Sequence, residues 1–413
     1  MQKTYNTSHV RQINQRAVLD SILRNGSMSK AELARTLGLS KPAMADNVQR
    51  LLDLGIVKEG GEGDCGPNGG RRPVMLMLNG EHKYIVTIDF FYTFTRFILG
   101  NIKGEVVEEF SVNQTPAQSF EAWVNMSVNA VNTLLFSRGL QMENLAAIGF
   151  SAPGVVSSDQ RCIIPSAMGG NFDAGVFVER LKENFHCIVY TKNSANVYVV
   201  AEVEAGAGKG FKNVLYISCG EGIGAGIILN GQLYEGSGMA AGEIGNFVTR
   251  NTLDEPSRLE QRIGVQALMR LIREQAPAQT LEKLDLQLSD EKLFLQVVNL
   301  WKEGDRFLKK CVEEISLDIG CIVADMNMLL NCDIIILGGE YIAFSSQMIP
   351  VVQNIVNTRC YLPPKVVPAA LGKERRGLGM LALCREFYFD TLCGLASAPY
   401  LPETNVNIRK DWV

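Results

Sequence analysis

Residues 218–246 read SCGEGIGAGIILNGQLYEGSGMAAGEIGN. The strand-like Val214–Ser218 (VLYIS) runs into this stretch, a glycine-rich turn (Cys219–Gly226) interrupts it, and Gly226–Leu229 (GIIL) runs out. Asn230-Gly231 then turns the chain into Gln232–Tyr234. Glycines after a strand let backbone amides approach a phosphate. They also let two strands turn tightly. The neighbourhood repeats this order upstream. Tyr84–Asp89, Thr95–Asn101 and Gly104–Val112 predict an antiparallel meander with tight turns at Asp89 and Lys103-Gly104. A helix over Glu121–Arg138, strands at Leu145–Phe150 and His186–Tyr190, and a helix over Asn193–Gly206 follow. Downstream, a long helical stretch from Ser257 to Leu330 precedes the strand Ile334–Leu337, which ends in Gly338-Gly339. Two similar meander-plus-helix halves predict a duplicated, two-lobed α/β body with a cleft between the lobes.

In front of this body stands a different texture. Residues 1–75 carry eleven Lys/Arg and seven Asp/Glu, a net of +4, whereas the other 338 carry 29 and 37, a net of −8. Val18, Leu19, Ile22 and Leu23 form one stripe of a helix that Gly26 ends. Ser29 caps a second helix to Leu37, with Glu32 three residues on as in a capping box. Gly38 turns the chain. Ser40 caps a third helix through Leu54, with Pro42 in its first turn. That is a helix-turn-helix pattern. Ser40, Lys41, Ala43, Met44, Asn47 and Arg50 are expected to face DNA, and Leu51, Leu52 and Ile56 the core. Strands at Ile56–Glu59 and Val74–Leu78 frame a glycine-rich wing whose Arg71 and Arg72 would reach phosphates or a narrow minor groove.

Composition excludes several classes. No apolar run approaches the ~18–20 residues of a membrane span. The polar start, Met1–Ser8, lacks a signal-peptide core. The ten cysteines therefore read as reduced thiols of a cytoplasmic protein. None forms a CxC or CxxC pair, and the three histidines (His9, His82, His186) are far apart, so no metal site is expected.

Residues 14–390 resemble the ROK family, which contains bacterial repressors and sugar kinases. The matching stretches are GGRRP (69–73), IDFFYT (88–93), AIGFSAPG (147–154), KNSANVYVVAE (192–202), residues 218–246 with AGEIG at 241–245, and GLGMLALC (377–384). The resemblance implies an actin-like, ribonuclease H-like sugar-kinase fold. Three departures from the kinase pattern speak against phosphoryl transfer. Ser194 stands where the kinases have the aspartate that takes the sugar proton, and a serine alone is too weak a base. Asp89-Phe90-Phe91-Tyr92-Thr93 replaces an Asp-x-Gly-Gly-Thr phosphate turn. Glu221, between Gly220 and Gly222, replaces a threonine of the second phosphate loop and would repel a triphosphate. Asp89, Gly220, Glu221, Gly222, Gly338 and Gly339 thus outline a degenerate nucleotide site. The family's zinc loop is missing too, since Asn246 replaces its histidine and residues 247–259 hold no cysteine. On the sugar side, Asn193, Glu243 and Glu260 match hydroxyl ligands, while Ser194 and Asn246 replace an aspartate and a histidine. All five can still hydrogen-bond a polyol.

The expected organisation is a winged helix-turn-helix domain (1–80), a two-lobed ROK body (81–390) and a C-terminal extension (391–413). The expected function is a DNA-binding regulator, acting as a repressor on sugar-metabolism genes. It would be a homodimer that binds an operator and senses a sugar or sugar phosphate, with no cofactor and no membrane contact. An active kinase with an appended reader, or a ligand-independent repressor answering to a protein partner, are the alternatives. The run Lys373-Glu374-Arg375-Arg376 reads as a solvated helix start.

Overall fold

The computed structural model of the chain describes residues 7–63, 72–91, 93–114, 119–157, 163–164, 174–251, 256–372 and 375–395. The head contains α1 (Thr7–Asn25), β1 (Met28–Ser29), α2 (Lys30–Leu37), α3 (Lys41–Asp53), β2 (Val57–Glu62) and β3 (Val74–Leu78). The capping box forms at α2: Ser29 N–H donates to Glu32 Oε2 at 2.8 Å, and Glu32 N–H to Ser29 Oγ at 3.2 Å. The Ser29 N–H bond, joined by one from Ser29 Oγ to Glu32 Oε2 at 2.8 Å, holds the Glu32 carboxyl below its usual range. Gly38 follows with φ 65°, a left-handed conformation that suits glycine. β2 and β3 pair antiparallel as the two sides of the wing, with β1 on the outer edge of β3.

The body is two sheets of one design. The first lobe holds β4 (Tyr84–Phe90), β5 (Phe94–Asn101), β6 (Val106–Asn113), α4 (Phe120–Ser137), β7 (Leu145–Ala152), β8 (Val155–Val156), β9 (Ile163–Ile164), α5 (Ala174–Phe185), β10 (Ile188–Asn193) and α6 (Ser194–Ala205). The second holds β11 (Val214–Cys219), β12 (Ile223–Leu229), β13 (Gln232–Leu233), β14 (Val248–Asn251) and β15 (Pro256–Arg258). It continues through α7 (Leu259–Ile263), α8 (Val265–Gln275), α9 (Ala278–Leu281), α10 (Asp290–Lys302), α11 (Arg306–Leu330), β16 (Ile334–Gly338), α12 (Ser345–Arg359) and β17 (Lys365–Pro368). Sheet orders are β10-β7-β4-β5-β6 and β13-β12-β11-β16-β17. In each, the first three strands are an antiparallel meander and two later strands add in parallel beside the first. The helical stretch expected over 257–330 is five helices, α7 to α11, rather than one continuous run.

Between the sheets lie α6 and α13 (Leu378–Cys393). They touch each other at a glycine: a Cβ on Gly379 would stand 1.9 Å from the Val197 carbonyl oxygen. One buried cluster spans this seam, joining Ile85 and Ala147 of the first sheet, Val197, Met380 and Leu381 of the helices, and Tyr216 and Ile336 of the second sheet. α13 then leaves the body. Its Phe389 and Cys393 are buried in the head's core with Val18, Ile22, Leu51 and Leu76. Arg16 of α1 donates to Asp390 Oδ1 at 2.7 Å and also pairs with Asp20 and Glu386. Its guanidinium lies 5.4 Å from the centre of the Phe389 ring. His82 and Tyr388 hydrogen-bond at 3.0 Å. The break expected after Asp390 therefore falls inside a helix, and the head's packing includes residues from the far end of the chain.

Candidate functional site

The outward face of α3 differs from the one expected. Met44 is 1% exposed and Asn47 3%. Met44, Val48 and Leu51 recur at helical spacing, and Asn47 falls on the same stripe, so both point into the head. Asn47 Nδ2 donates back to the Ala43 carbonyl at 2.8 Å. These two residues are thus corrected from DNA-facing to core. Ser40, Lys41 and Arg50 are exposed and Ala43 is half-buried. Ser40 accepts from Ala43 N–H at 3.4 Å, which caps the helix. The same face exposes Ala45 and Gln49, which the sequence reading missed. Subtracting the apolar stripe from the helix would have found them. On the wing, Arg72 is exposed and Arg71 lies outside the described residues.

In the cleft, Asn193 holds two lobes together with one amide. It ends β10 and caps α6, its Oδ1 accepting from Ala195 N–H at 2.8 Å. Its Nδ2 donates to the Gly154 carbonyl at 2.7 Å and to Glu243 Oε1 at 3.2 Å. Glu260, at the start of α7, accepts from Ile223 N–H at 2.9 Å. Burial pushes the Glu243 carboxyl above its usual range, and the nearby Glu260 adds to the shift. Beside this trio, Lys192 pairs with Glu235 at 2.6 Å, a buried bridge between the lobes. Ser194 opens α6 next to Asn193. Asn246 is exposed: its N–H donates to the Glu243 carbonyl at 3.2 Å, and its Oδ1 accepts from Arg258 at 3.3 Å.

The AGEIG run has a packing reason. Ala225 N–H donates to the Gly242 carbonyl at 2.7 Å. A Cβ on Gly242, whose φ is 92°, would stand 2.0 Å from the Ala225 oxygen. Two backbones touch here, and that contact places Glu243.

On the nucleotide side the protein's own side chains meet the turns. Gly339, with φ 84°, lies so close to β11 that a Cβ would be 2.2 Å from the Cys219 oxygen. This brings Glu340 over the Gly220-Glu221 turn, where its Oε2 accepts from Glu221 N–H at 3.1 Å. A carboxylate therefore sits on the amide that an anion would use. Phe91 and Phe94 stack at 4.4 Å across the Asp89 turn, and Tyr92 lies outside the described residues. Asp89 is fully buried, and burial raises its carboxyl to about 7 against the opposing pull of Ser151, Arg376 and Arg96. Arg376 is not solvated as expected: it is 7% exposed, 4.6 Å from the Tyr198 ring centre. Burial alone would lower its pKa, but Tyr216, Tyr198, Glu340 and Asp89 together raise it. Glu340 and Arg376 were not singled out from the sequence, although Glu340 directly follows the Gly338-Gly339 landmark. Among the described residues no cluster of three or more His, Cys, Asp or Glu could hold a metal ion. No helix among them is long and apolar enough to cross a membrane.

A ROK family profile matches residues 85–386, and a winged helix-turn-helix DNA-binding profile matches residues 11–58. The chain belongs to the ROK family. Among curated ROK relatives, the xylose repressor of Bacillus subtilis (strain 168) is 26% identical over 389 residues, covering 93% of this chain and 97% of its own. The N-acetylglucosamine repressor of Escherichia coli O6:H1 is 22% identical over 372 residues, covering 86% and 87%. Among solved structures, a ROK family transcriptional regulator homologous to the E. coli MLC protein aligns with TM-score 0.77 at 19% identity, covering 94% and 98%. A ROK family glucokinase from Streptomyces griseus, in complex with glucose and AMPPNP, aligns with TM-score 0.60 at 21% identity. It covers 73% of this chain and 99% of its own. The fold of both lobes is shared by the two structures; the larger coverage by the regulator takes in the ROK protein's head as well.

Proposed function

We propose that the protein is a DNA-binding transcriptional regulator, a repressor of sugar-metabolism genes, whose kinase-like body senses a sugar or sugar derivative without phosphorylating it. The observation that carries this reading is α13. It starts at the interlobe cleft and ends as part of the head's hydrophobic core. A ligand that shifts the lobes acts on both ends of one rigid rod, which gives sensing a physical route to the reader. Lys41, Gln49 and Arg50 would meet the major groove, with Ser40 at the helix start and Arg71 and Arg72 on the wing. Asn193, Ser194, Glu243 and Glu260 would orient the sugar ring through charge-assisted hydrogen bonds. No cofactor or metal is needed for this role. Association as a cytoplasmic homodimer belongs to the same reading. The exposed Leu317 and Leu329 of α11, with Phe247 and Val248 nearby in the lobe, offer apolar surface for a second copy.

The test combines two measurements on the full chain. Fluorescence anisotropy with DNA from upstream of the gene should give salt-dependent binding. A thermal-shift screen with xylose, N-acetylglucosamine, glucose and their phosphates should find a sugar that raises the melting temperature and changes operator affinity. Sugar-dependent ATP turnover at ~1–100 s⁻¹ would sink the reading.

A further inference from the structure

Lys192 and Asn193 are consecutive at the end of β10, and both reach into the second lobe. Asn193 donates to Glu243 Oε1 at 3.2 Å, and Lys192 Nζ donates to Glu235 Oε2 at 2.6 Å. The segment 235–243 that carries both glutamates is closed on itself, since Ala241 N–H donates to the Glu235 carbonyl at 3.0 Å. β10 therefore grips one short loop at both ends. The same lysine is tied to the head. Alternation along the strand puts Tyr190 on its face of β10, and the ammonium lies 5.1 Å from the centre of the Tyr190 ring. Tyr190 stacks on Phe387 of α13, with ring centres 5.0 Å apart and planes 24° apart. On either side of Phe387, Glu386 pairs with Arg16 of α1 and Tyr388 bonds His82. Two residues on, Phe389 lies in the head's core. A buried ion pair is costly to desolvate, and an apolar pair of similar volume is often as stable or more so. What Lys192 and Glu235 add over such a pair is direction, because a short charged hydrogen bond fixes the loop at one place on the strand.

We propose that Lys192 is a positioning residue of the regulator: through Tyr190 and Phe387 it passes the position of the 235–243 loop to the part of α13 that closes the DNA-binding head. The proposal rests on the sugar-sensor reading for what moves the loop. A sugar hydroxyl that takes over the bond between Asn193 and Glu243 frees one end of the loop and leaves Lys192 as its pivot. The strain then falls on the Tyr190–Phe387 stack. Contiguous contacts alone are not coupling, so the route has to be measured as an interaction between its members.

Hydrogen exchange of the full chain, read by mass spectrometry, tests it on the double variant Lys192→Met with Glu235→Met, which leaves no lone buried charge. Its melting temperature should hold or rise. Without any ligand, α1 and the last turns of α13 should exchange about two- to tenfold faster than in the parent, the range set by a loosened aromatic stack, while α8 of the second lobe is unchanged. Phe387→Leu should speed the same segments, and adding it to the double variant should give little further increase. Glu235→Gln, an isosteric change, should act in the same direction and serves if the double variant does not fold. In the parent, whichever of xylose, N-acetylglucosamine, glucose or their phosphates raises the melting temperature should alter exchange in those segments, and in the double variant it should not. If none of these sugars acts on the parent, the sensor reading fails, and the ligand-free comparison still decides the route. The proposal is overturned if the head of the folded variant exchanges as in the parent, or if Phe387→Leu adds its full effect on top. It is also overturned if the sugar's signal reaches the head of the double variant undiminished.

Discussion

The two sides of the cleft have been treated differently. On the sugar side, Asn193 donates to Glu243, while Asn193 and Glu260 each accept from the backbone around them. On the nucleotide side, Glu340 rests on the turn amide, Phe91 and Phe94 stack over the Asp89 turn, and Asp89 is sealed from solvent. Both sides use glycines for close backbone approach. The contrast teaches that one cleft can carry a carboxylate and stacked rings against the turns of one half while the other half is held by hydrogen bonds between polar side chains.

The largest effect should come from the scaffold of the sugar side. Gly242→Ala forces a methyl group onto the Ala225 oxygen at a positive φ, and should lower stability by more than about 2 kcal/mol. Gly222→Ala, whose Cβ would meet nothing nearer than Glu260 at 3.7 Å, should be close to neutral. Chemical denaturation of the pair measures this; equal costs would show that the run is a flexible loop.

Next is the nucleotide side. Asp89 has a folded pKa of about 7, above its unfolded value, so the folded state holds its proton longer. Its contribution is present below the ordinary carboxylate range and is lost as pH rises toward 7. Asp89→Asn should remove that slope, and the variant should melt higher than the parent at pH 8. Melting curves from pH 4 to pH 8 decide. A slope that survives the substitution would mean that Asp89 is already ionised and paired.

Glu243→Gln should weaken the effector several-fold to about tenfold, since a charged hydrogen bond becomes a neutral one. Stability without ligand should hold or rise, because Glu243 and Glu260 repel each other. Earlier melting with unchanged ligand affinity would make the trio structural and erase the difference between the two sides.

The smallest effect is expected far from the cleft. Arg72→Ala should lower the log–log salt slope of DNA binding by about 0.9 and weaken all sequences alike. Ligand affinity should be untouched. An unchanged slope would remove the wing from the DNA interface.

What was legible in the sequence was local. Ser29 with Glu32, Ser40 with Pro42, and the repeated meander are patterns of near neighbours, and each announces its own geometry. The misreadings concern residues whose polarity disagrees with their position. Asn47 sits on the inward stripe of α3, where an amide is expected to face out, beside the apolar Met44. Arg376 stands in a charged run that looks solvated, yet Tyr216, Tyr198, Glu340 and Asp89, all distant in sequence, enclose it. Glu340 gains its meaning only because Gly339 brings it to a turn 119 residues earlier. No window of sequence contains both partners of such a contact.

The reach of α13 has a consequence for how the chain is made. The head is synthesised first, but Phe389 and Cys393, which close its core, lie near the far end of the chain and leave the ribosome late. Domains otherwise tend to fold in order of synthesis. Here the reader is unfinished until the sensor behind it is complete. A chain that stops early therefore carries a helix-turn-helix sequence but no sealed helix-turn-helix core. Premature truncation yields a silent fragment rather than a repressor deaf to its ligand.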